Sequence, residues 1–284
     1  MKAAPFAYAK PGSLREALAL LERHGDRARP LAGGQSLIAA LNMRLAQPAI
    51  LIDLNALPGL DGIELRGDHL VIGALTRHRV IERSDLVALH APLLAQAAPH
   101  IAHVAIRNAG TFGGSLAMAD PAAEWPACCV ALEARIVVAS SRGERRIPAA
   151  QFFKSLYTTA LAPGEIITSV EIPLGGEDRR SAFLELVRRR GDYAIVGIAA
   201  LAQHSRNALS RLRLVYLGVG DAPALAASAM ATLEGTPATP EKIAAAQGAL
   251  EKDLAPAADL YHSAAAKLHL ARVLLGRAVA ALAG

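Results

Sequence analysis

Aromatic side chains supply only 4% of the 284 residues. Single-stranded nucleic acid is usually held by stacking bases on such rings, so that class of partner has no platform here. Charge of one sign is not concentrated either. The 30 basic and 25 acidic side chains leave a net +5 and are scattered along the chain, which reads as a solvated or partner-facing surface rather than a nucleic-acid track. No stretch approaches the ~18 consecutive apolar residues that a spanning helix requires, so membrane insertion is not expected. The opening residues, Met1 to Phe6, lack the apolar core and cleavage site of a secretory signal, and a cytoplasmic location is the expectation. Cysteine is limited to the adjacent pair Cys128 and Cys129. Neighbours in sequence are poorly placed to bridge each other, and without a second cluster they hold no iron–sulfur centre or all-cysteine zinc site. They read as two small hydrophobes on a buried helix. His100 and His103 follow Pro99 and have no carboxylate close in sequence, so no metal is expected there.

What is present is an ordinary globular composition, 53% hydrophobic and 19% charged, long enough for two or three packed units. Ser13 and Glu16 form a capping box ahead of Leu14, Leu18 and Leu21, which share one helical face. A strand at Arg29 to Leu31, a helix to about Met43 and a strand at Ile50 to Asp53 complete a small α/β unit over residues 1–57. A second α/β unit, 58–176, contains a hairpin across Gly67-Asp68 and a helix for which Thr76 is a candidate cap. It continues with one helix from Asp85 to Ala98 and another opened by Asp120 as N-cap with Pro121 in the first turn. Strands at Arg135 to Ala139, Arg145 to Ile147 and Ile166 to Ile172 close it. Gly175 to Arg180 is the linker candidate. Beyond it, over 177–284, come strands at Ser181 to Val187, Ala194 to Ala202 and Leu212 to Gly218. Helices follow at about Ala224 to Leu233, Thr239 to Leu250 and Asp259 to Leu282. This order predicts an α+β unit with helices on one face of a three-stranded antiparallel sheet.

Two glycine-rich loops carry the chemistry. Ala32-Gly33-Gly34-Gln35-Ser36 follows the strand that ends at Leu31 and runs into a helix at Leu37. Thr111-Phe112-Gly113-Gly114-Ser115, within the run that starts at Arg107-Asn108-Ala109-Gly110, is the second. Glycine lets a backbone approach a ligand without a β-carbon in the way, and consecutive N–H groups can then form an anion nest. Either pair alone reads as a tight turn. Two such pairs, each beside a hydroxyl, suit the diphosphate of a dinucleotide. A Rossmann site is the competitor, and its nearest match, Gly218-Val219-Gly220, has Pro223 at the third glycine position and no acidic ribose contact in place.

The two loops are followed in order by Asp120-Pro121-Ala122-Ala123-Glu124-Trp125-Pro126, by Arg188-Arg189-Arg190-Gly191-Asp192-Tyr193-Ala194 and by Gly218 to Pro223. Together they resemble the FAD-binding medium subunit of the molybdenum hydroxylases, the xanthine dehydrogenase and carbon monoxide dehydrogenase family. The resemblance implies a vanillyl-alcohol-oxidase-type FAD fold in two subdomains with a C-terminal domain. It implies that Ala32 to Ser36, flanked by Leu31 and Leu37, holds the pyrophosphate. Ala109, Gly110, Thr111, Gly113, Gly114 and Ser115 would complete that grip, with Asp120 and Glu124 bonding the cofactor. Ile101 and Ile167 would line it, and Tyr193 would lie beside the isoalloxazine ring. Gln35 stands where threonine is commoner, and Ser115 where asparagine is. Read from residues alone, Asp120 is equally a helix cap and Glu124 an exposed first-turn acid. Arg188 to Arg190 are equally a solvated turn, and Tyr193 core packing. With no His or Cys in the first loop, FAD would be held non-covalently.

The resemblance further implies partners: a small subunit with two 2Fe–2S clusters and a large subunit with the molybdopterin cofactor, arranged as a dimer of heterotrimers. No catalytic residue is then expected in this chain. A stand-alone flavin oxidoreductase of the same fold is the alternative, and it would need acid–base groups in a C-terminal third that is mostly aliphatic. A structural subunit without FAD is a third reading. The absence of a nicotinamide fingerprint points away from NAD as acceptor.

Overall fold

The computed structural model describes residues 2–176, 178–205 and 208–284. Glu177, within the expected linker and at the expected boundary, lies outside the described residues. The first sheet is parallel: β1 (Ala7–Ala9) and β2 (Ala28–Leu31) flank β3 (Ile50–Asp53). Helix α1 (Leu14–His24) covers it through Ala17, Leu18 and Leu21. The expected capping box forms with one change. Ser13 Oγ accepts from Glu16 N at 3.2 Å, but Glu16 reaches back to the N–H of Gly12, not Ser13. β1 had no sequence signal, being three residues long and exposed on most of its surface. Helix α2 (Leu37–Asn42) leaves the first glycine loop as expected.

The second sheet has five antiparallel strands in the order β4-β5-β10-β6-β7. Its hairpins are β4 (Ile63–Arg66) with β5 (His69–Gly73), and β6 (Arg135–Ser140) with β7 (Gly143–Pro148). A short hairpin of β8 (Phe153–Ser155) and β9 (Thr158–Thr159) precedes the central strand β10 (Ile166–Pro173). Helices α3 (His78–Glu82), α4 (Asp85–His90), α5 (Pro92–Ala97), α6 (Val104–Ala109), α7 (Phe112–Met118), α8 (Glu124–Ala131) and α9 (Ala149–Phe152) belong to the same unit.

Three sequence expectations fail here. Thr76 caps no helix; Arg77 holds that position, while the Thr76 hydroxyl bonds the backbone of Gly62. The helix expected from Asp85 to Ala98 is two helices. Pro92 has no N–H to donate and forces Ala91 to φ −138°, ψ 56°. Asp120 does not open α8 either. Its Oδ1 accepts from Ala122 N at 2.9 Å in a local turn, and Ala123 takes the cap position.

The C-terminal sheet is β11 (Arg179–Leu186), β12 (Val196–Ser205), β13 (Ala208–Leu217) and β14 (Ala224–Leu225), antiparallel throughout. It has four strands, not three; the two residues of β14 carry too little pattern to be read. Helices α10 (Ala227–Leu233), α11 (Pro240–Asp253) and α12 (Ala264–Ala283) pack on one face. Asp259 does not start α12. It accepts from the N–H groups of Tyr261 and His262 in the loop before it, and Ser263 is the cap. Side chains alternate with period two: Ala182, Ile198, Ala200 and Tyr216 face these helices. Phe183, Ala199, Leu201, Val215 and Leu217 face the other way and join the core containing α5 and α8. Both faces are therefore buried, which is why Ala194 to Ala202 reads as a continuous apolar run.

Candidate cofactor site

The chain leaves β2 at Leu31 and turns sharply at Gly34, whose φ of +72° is a left-handed conformation that favours glycine. Across this turn the N–H groups of Gly33, Gly34, Gln35, Ser36 and Leu37 donate to no acceptor among the described residues, and the Ser36 side chain makes no cap bond. Gln35 Nε2 closes the turn on Gly33 O at 2.9 Å. Consecutive free amides about a left-handed residue are the geometry of an anion nest.

The second loop differs, and here the expectation of two equivalent nests is corrected. Its amides are already used: Gly110 N on Ile106 O, Phe112 N on Thr76 O, Gly113 N on Ala74 O, and Gly114 N on Thr111 Oγ1 at 3.2 Å. These glycines serve close packing instead. A β-carbon on Gly113 would lie 2.6 Å from that of Ala74, and one on Gly110 would lie 2.6 Å from His78 Nε2. The second loop is a fixed wall beside the first.

The two loops meet. A β-carbon on Gly33 would come 2.4 Å from Ala109 O and 2.7 Å from Gly110 Cα, so only glycine allows this approach. Two residues that sequence reasoning missed hold the junction. Asn55 Nδ2 donates to Ala32 O at 2.8 Å, and Arg77 donates to Ala109 O. Arg77 Nη2 also donates to Asn55 Oδ1 at 2.7 Å, linking the clamps. Asn55 is oriented by Asp53, whose other oxygen accepts from Tyr8. Burial works against the Asp53 carboxylate, yet the hydrogen bonds from Tyr8 and Asn55 hold it below its ordinary value. Beneath the wall, Trp125 Nε1 donates to His78 Nδ1 at 3.0 Å, and Phe112 meets Trp125 edge-on. Burial, with Arg107 and Arg77 nearby, depresses His78 to about 4, so it stays neutral with the proton on Nε2.

Beyond the wall lies an acidic, tyrosine-rich rim. Glu124 is 8% exposed, which removes the reading of a solvated first-turn acid. Burial first, then the charges of Glu185 and Asp120, push its carboxyl up to about 8. Tyr193 is exposed, so it is not core packing. Desolvation, and then the charges of Asp120, Tyr157 and Glu124, raise its phenol, so these groups lie near one another. Ile101 and Ile167 are buried in the apolar cluster with Phe112 and Trp125, behind the loops. Arg188 lies over the Tyr261 ring, 5.4 Å from its centroid.

Residues 4–175 match the family of the FAD binding domain in molybdopterin dehydrogenase. The chain belongs to this family. Residues 181–282 match the CO dehydrogenase flavoprotein C-terminal domain. The 6-hydroxypseudooxynicotine dehydrogenase complex subunit alpha of Paenarthrobacter nicotinovorans is 38% identical over 99% of this chain and 95% of its own length. The carbon monoxide dehydrogenase medium chain of Hydrogenophaga pseudoflava is 36% identical over 96% of each. In solved structures, a carbon monoxide dehydrogenase from the same organism contains a chain that superposes with a TM-score of 0.96 at 37% identity, covering 99% of this chain and 98% of that one. Quinoline 2-oxidoreductase from Pseudomonas putida 86 gives 0.94 at 35%, covering 100% and 98%. The chain is thus an FAD-binding medium subunit of a molybdenum-containing oxidoreductase, with its FAD domain followed by an antiparallel C-terminal domain. The donor set fits the cofactor: five free amides for a diphosphate, held in place by a backbone contact at Gly33 too close for any β-carbon. Among the described residues no helix is long and apolar enough to cross a membrane.

Proposed function

We propose that the chain passes electrons from the 2Fe–2S clusters of a small partner subunit to a terminal acceptor. Substrate is oxidised at a molybdopterin centre on a large partner, in a dimer of heterotrimers. The reading divides the chain into FAD subdomains 1–57 and 58–176 and a C-terminal domain 177–284. The observation that carries it is the row of five free amides at Gly33 to Leu37, pressed against the Ala109-Gly110 backbone.

In this reading the amides of Gly33 to Leu37 hold the diphosphate, with Ala32 and Leu31 shaping the approach. Thr111, Gly113, Gly114 and Ser115 form the wall, and Asp120, Glu124 and Tyr193 face the ring. When bound, FAD accepts electrons one at a time and releases them one or two at a time. The protein's part is to bind and orient it. Glu124, protonated at neutral pH, donates a hydrogen bond where an ionised carboxylate would only accept. The relatives named as subunits or medium chains of larger enzymes support the assembly. The burial of both faces of the C-terminal sheet favours it over a stand-alone oxidoreductase, which needs an open substrate pocket there.

Purification from the native host is the test. The expected result is a yellow complex with two further chains, containing molybdenum and iron, with about four iron atoms per FAD from two 2Fe–2S clusters. A yellow chain without partners contradicts the electron-transfer reading, and a colourless one contradicts flavin binding.

A further inference from the structure

A charged side chain is costly to bury unless its hydrogen bonds are made. Arg107, on α6, is buried with its side chain 7% exposed, and its bonds show what it holds. Its Nε donates to Glu82 Oε2 on α3 at 2.9 Å, which neutralises the charge. Its Nη1 faces backbone, 3.0 Å from Ile101 O, 3.0 Å from Ala102 O and 3.5 Å from Pro99 O. Ala102 has φ +42°, in the left-handed region that favours glycine, and another residue stays there only where its surroundings fix it. Lysine has a single nitrogen and cannot span the acid and both carbonyls.

The fixed carbonyl seats a second segment. The connection from β11 to β12 turns at Gly191, whose φ is +88°. A β-carbon there would lie 3.2 Å from Ala102 O and 2.6 Å from His103 Cε1, so the turn rests on both. Asp192 N donates to Arg189 O at 3.0 Å within the same connection. Two residues past Gly191 it carries Tyr193, exposed on the rim.

We propose that Arg107 is a positioning residue for the ring end of the flavin. It fixes Ala102, Ala102 seats the Gly191 turn, and that turn sets Tyr193. This rests on the reading that Tyr193 lies beside the isoalloxazine ring. Helix α6 carries the same order to the other half of the cofactor, because it ends at Ala109, whose carbonyl meets Gly33. One short helix thereby fixes both the diphosphate wall and the rest for the ring-side loop.

The test uses the full chain with the partners that purify with it, stripped of flavin. Calorimetry compares two ligands: FAD, and ADP-ribose, which keeps the diphosphate and lacks the ring. Tyr193→Ala measures the ring contact and is expected to weaken FAD about three- to tenfold, the size of one aromatic contact. Arg107→Lys and Gly191→Ala are expected to weaken FAD by a similar factor and to leave ADP-ribose unchanged. Adding either to Tyr193→Ala weakens FAD no further, since all three act on one contact. A merely structural role lowers both ligands together, and that result overturns the proposal. So does unchanged FAD affinity in either variant, or a loss that adds to that of Tyr193→Ala. If Arg107→Lys does not fold, Arg107→Gln combined with Glu82→Gln takes its place, because it leaves no unpaired buried charge. Undiminished FAD affinity in Tyr193→Ala overturns the ring reading instead, and the two failures are thereby distinct.

Discussion

Gly33→Ala abolishes flavin binding while the chain stays folded. The added β-carbon lies 2.4 Å from Ala109 O and 2.7 Å from Gly110 Cα, both backbone atoms held by the Arg77 and His78 contacts, so neither can swing aside. The first loop has to move, and its five amides leave their common focus. Hydrogen bonds to a charged group contribute about 1.5–3 kcal/mol each. Losing two of them weakens FAD by at least about 100-fold. The C-terminal core around Ile198, Leu214 and Leu275 is a separate cluster and keeps its packing. Gly248→Ala is the control. It lies within α11, where a β-carbon meets nothing within 4 Å, and alanine there stabilises the helix by about 0.5–1 kcal/mol. Flavin absorbance per chain after gel filtration distinguishes the two. Gly114→Ala is milder than Gly33→Ala, because its clash is with the Thr111 hydroxyl at 2.6 Å, a side chain able to rotate. Equal flavin content in Gly33→Ala and wild type removes the loop contact from the account.

The second large effect is on stability against pH in the flavin-free chain. Glu124 is pushed from an ordinary 4.5 up to about 8. Between those values the folded chain holds the proton and the unfolded chain has lost it. Unfolding therefore releases a proton, and stability falls as pH rises. The contribution from Glu124 is complete below pH 4.5 and is lost as pH climbs to 8, at about 1.4 kcal/mol per pH unit. From pH 6 to pH 8 this amounts to about 2–3 kcal/mol. Glu124→Gln keeps the shape and carries no titrating proton, so its stability curve is flatter over the same range. Urea denaturation of both chains at pH 6 and pH 8 gives the comparison. Parallel losses in the two chains show that Glu124 is ionised when buried, and the hydrogen-bond donor assigned to it disappears. His78 has the opposite sign. Its depression to about 4 means that stability is present above pH 6.5 and is lost as pH falls toward 4; between pH 6 and pH 8 it opposes the Glu124 trend by under about 1 kcal/mol, and equally in Glu124→Gln, so the comparison of the two chains cancels it.

Much of this was legible in the chain itself, because the signals were local. The capping box of α1, the β4–β5 hairpin at Gly67-Asp68 and the turn at Gly33-Gly34 each occupy a few consecutive residues. The adjacent cysteines are fully buried on one helix, as their chemistry suggested. What was not legible depends on contacts between distant segments. Asn55 and Arg77 carry no motif, and their importance appears only when Ala32 and Ala109 are found side by side. A histidine at 78 and a tryptophan at 125 say nothing of each other until the fold places them 3.0 Å apart. Glu185 in an alternating strand looks solvent-facing, and it is buried because a second layer covers that face.

The second glycine loop carries the sharper lesson. Gly113 and Gly114 look like an anion nest in sequence, since glycine pairs serve both anion binding and close backbone approach. Where the amides go decides between the two, and here they go to Ala74 O and Thr111 Oγ1. Asp120 was ambiguous for a similar reason: an aspartate before a proline caps a helix or closes a local turn, and both use the same side-chain oxygen.

The most direct measurement is a crystal structure of the chain with FAD bound. The diphosphate oxygens are expected within about 3 Å of the amides of Gly33 to Leu37, the range of charge-assisted hydrogen bonds. A diphosphate seated anywhere else, with those five amides still turned to water, contradicts the account.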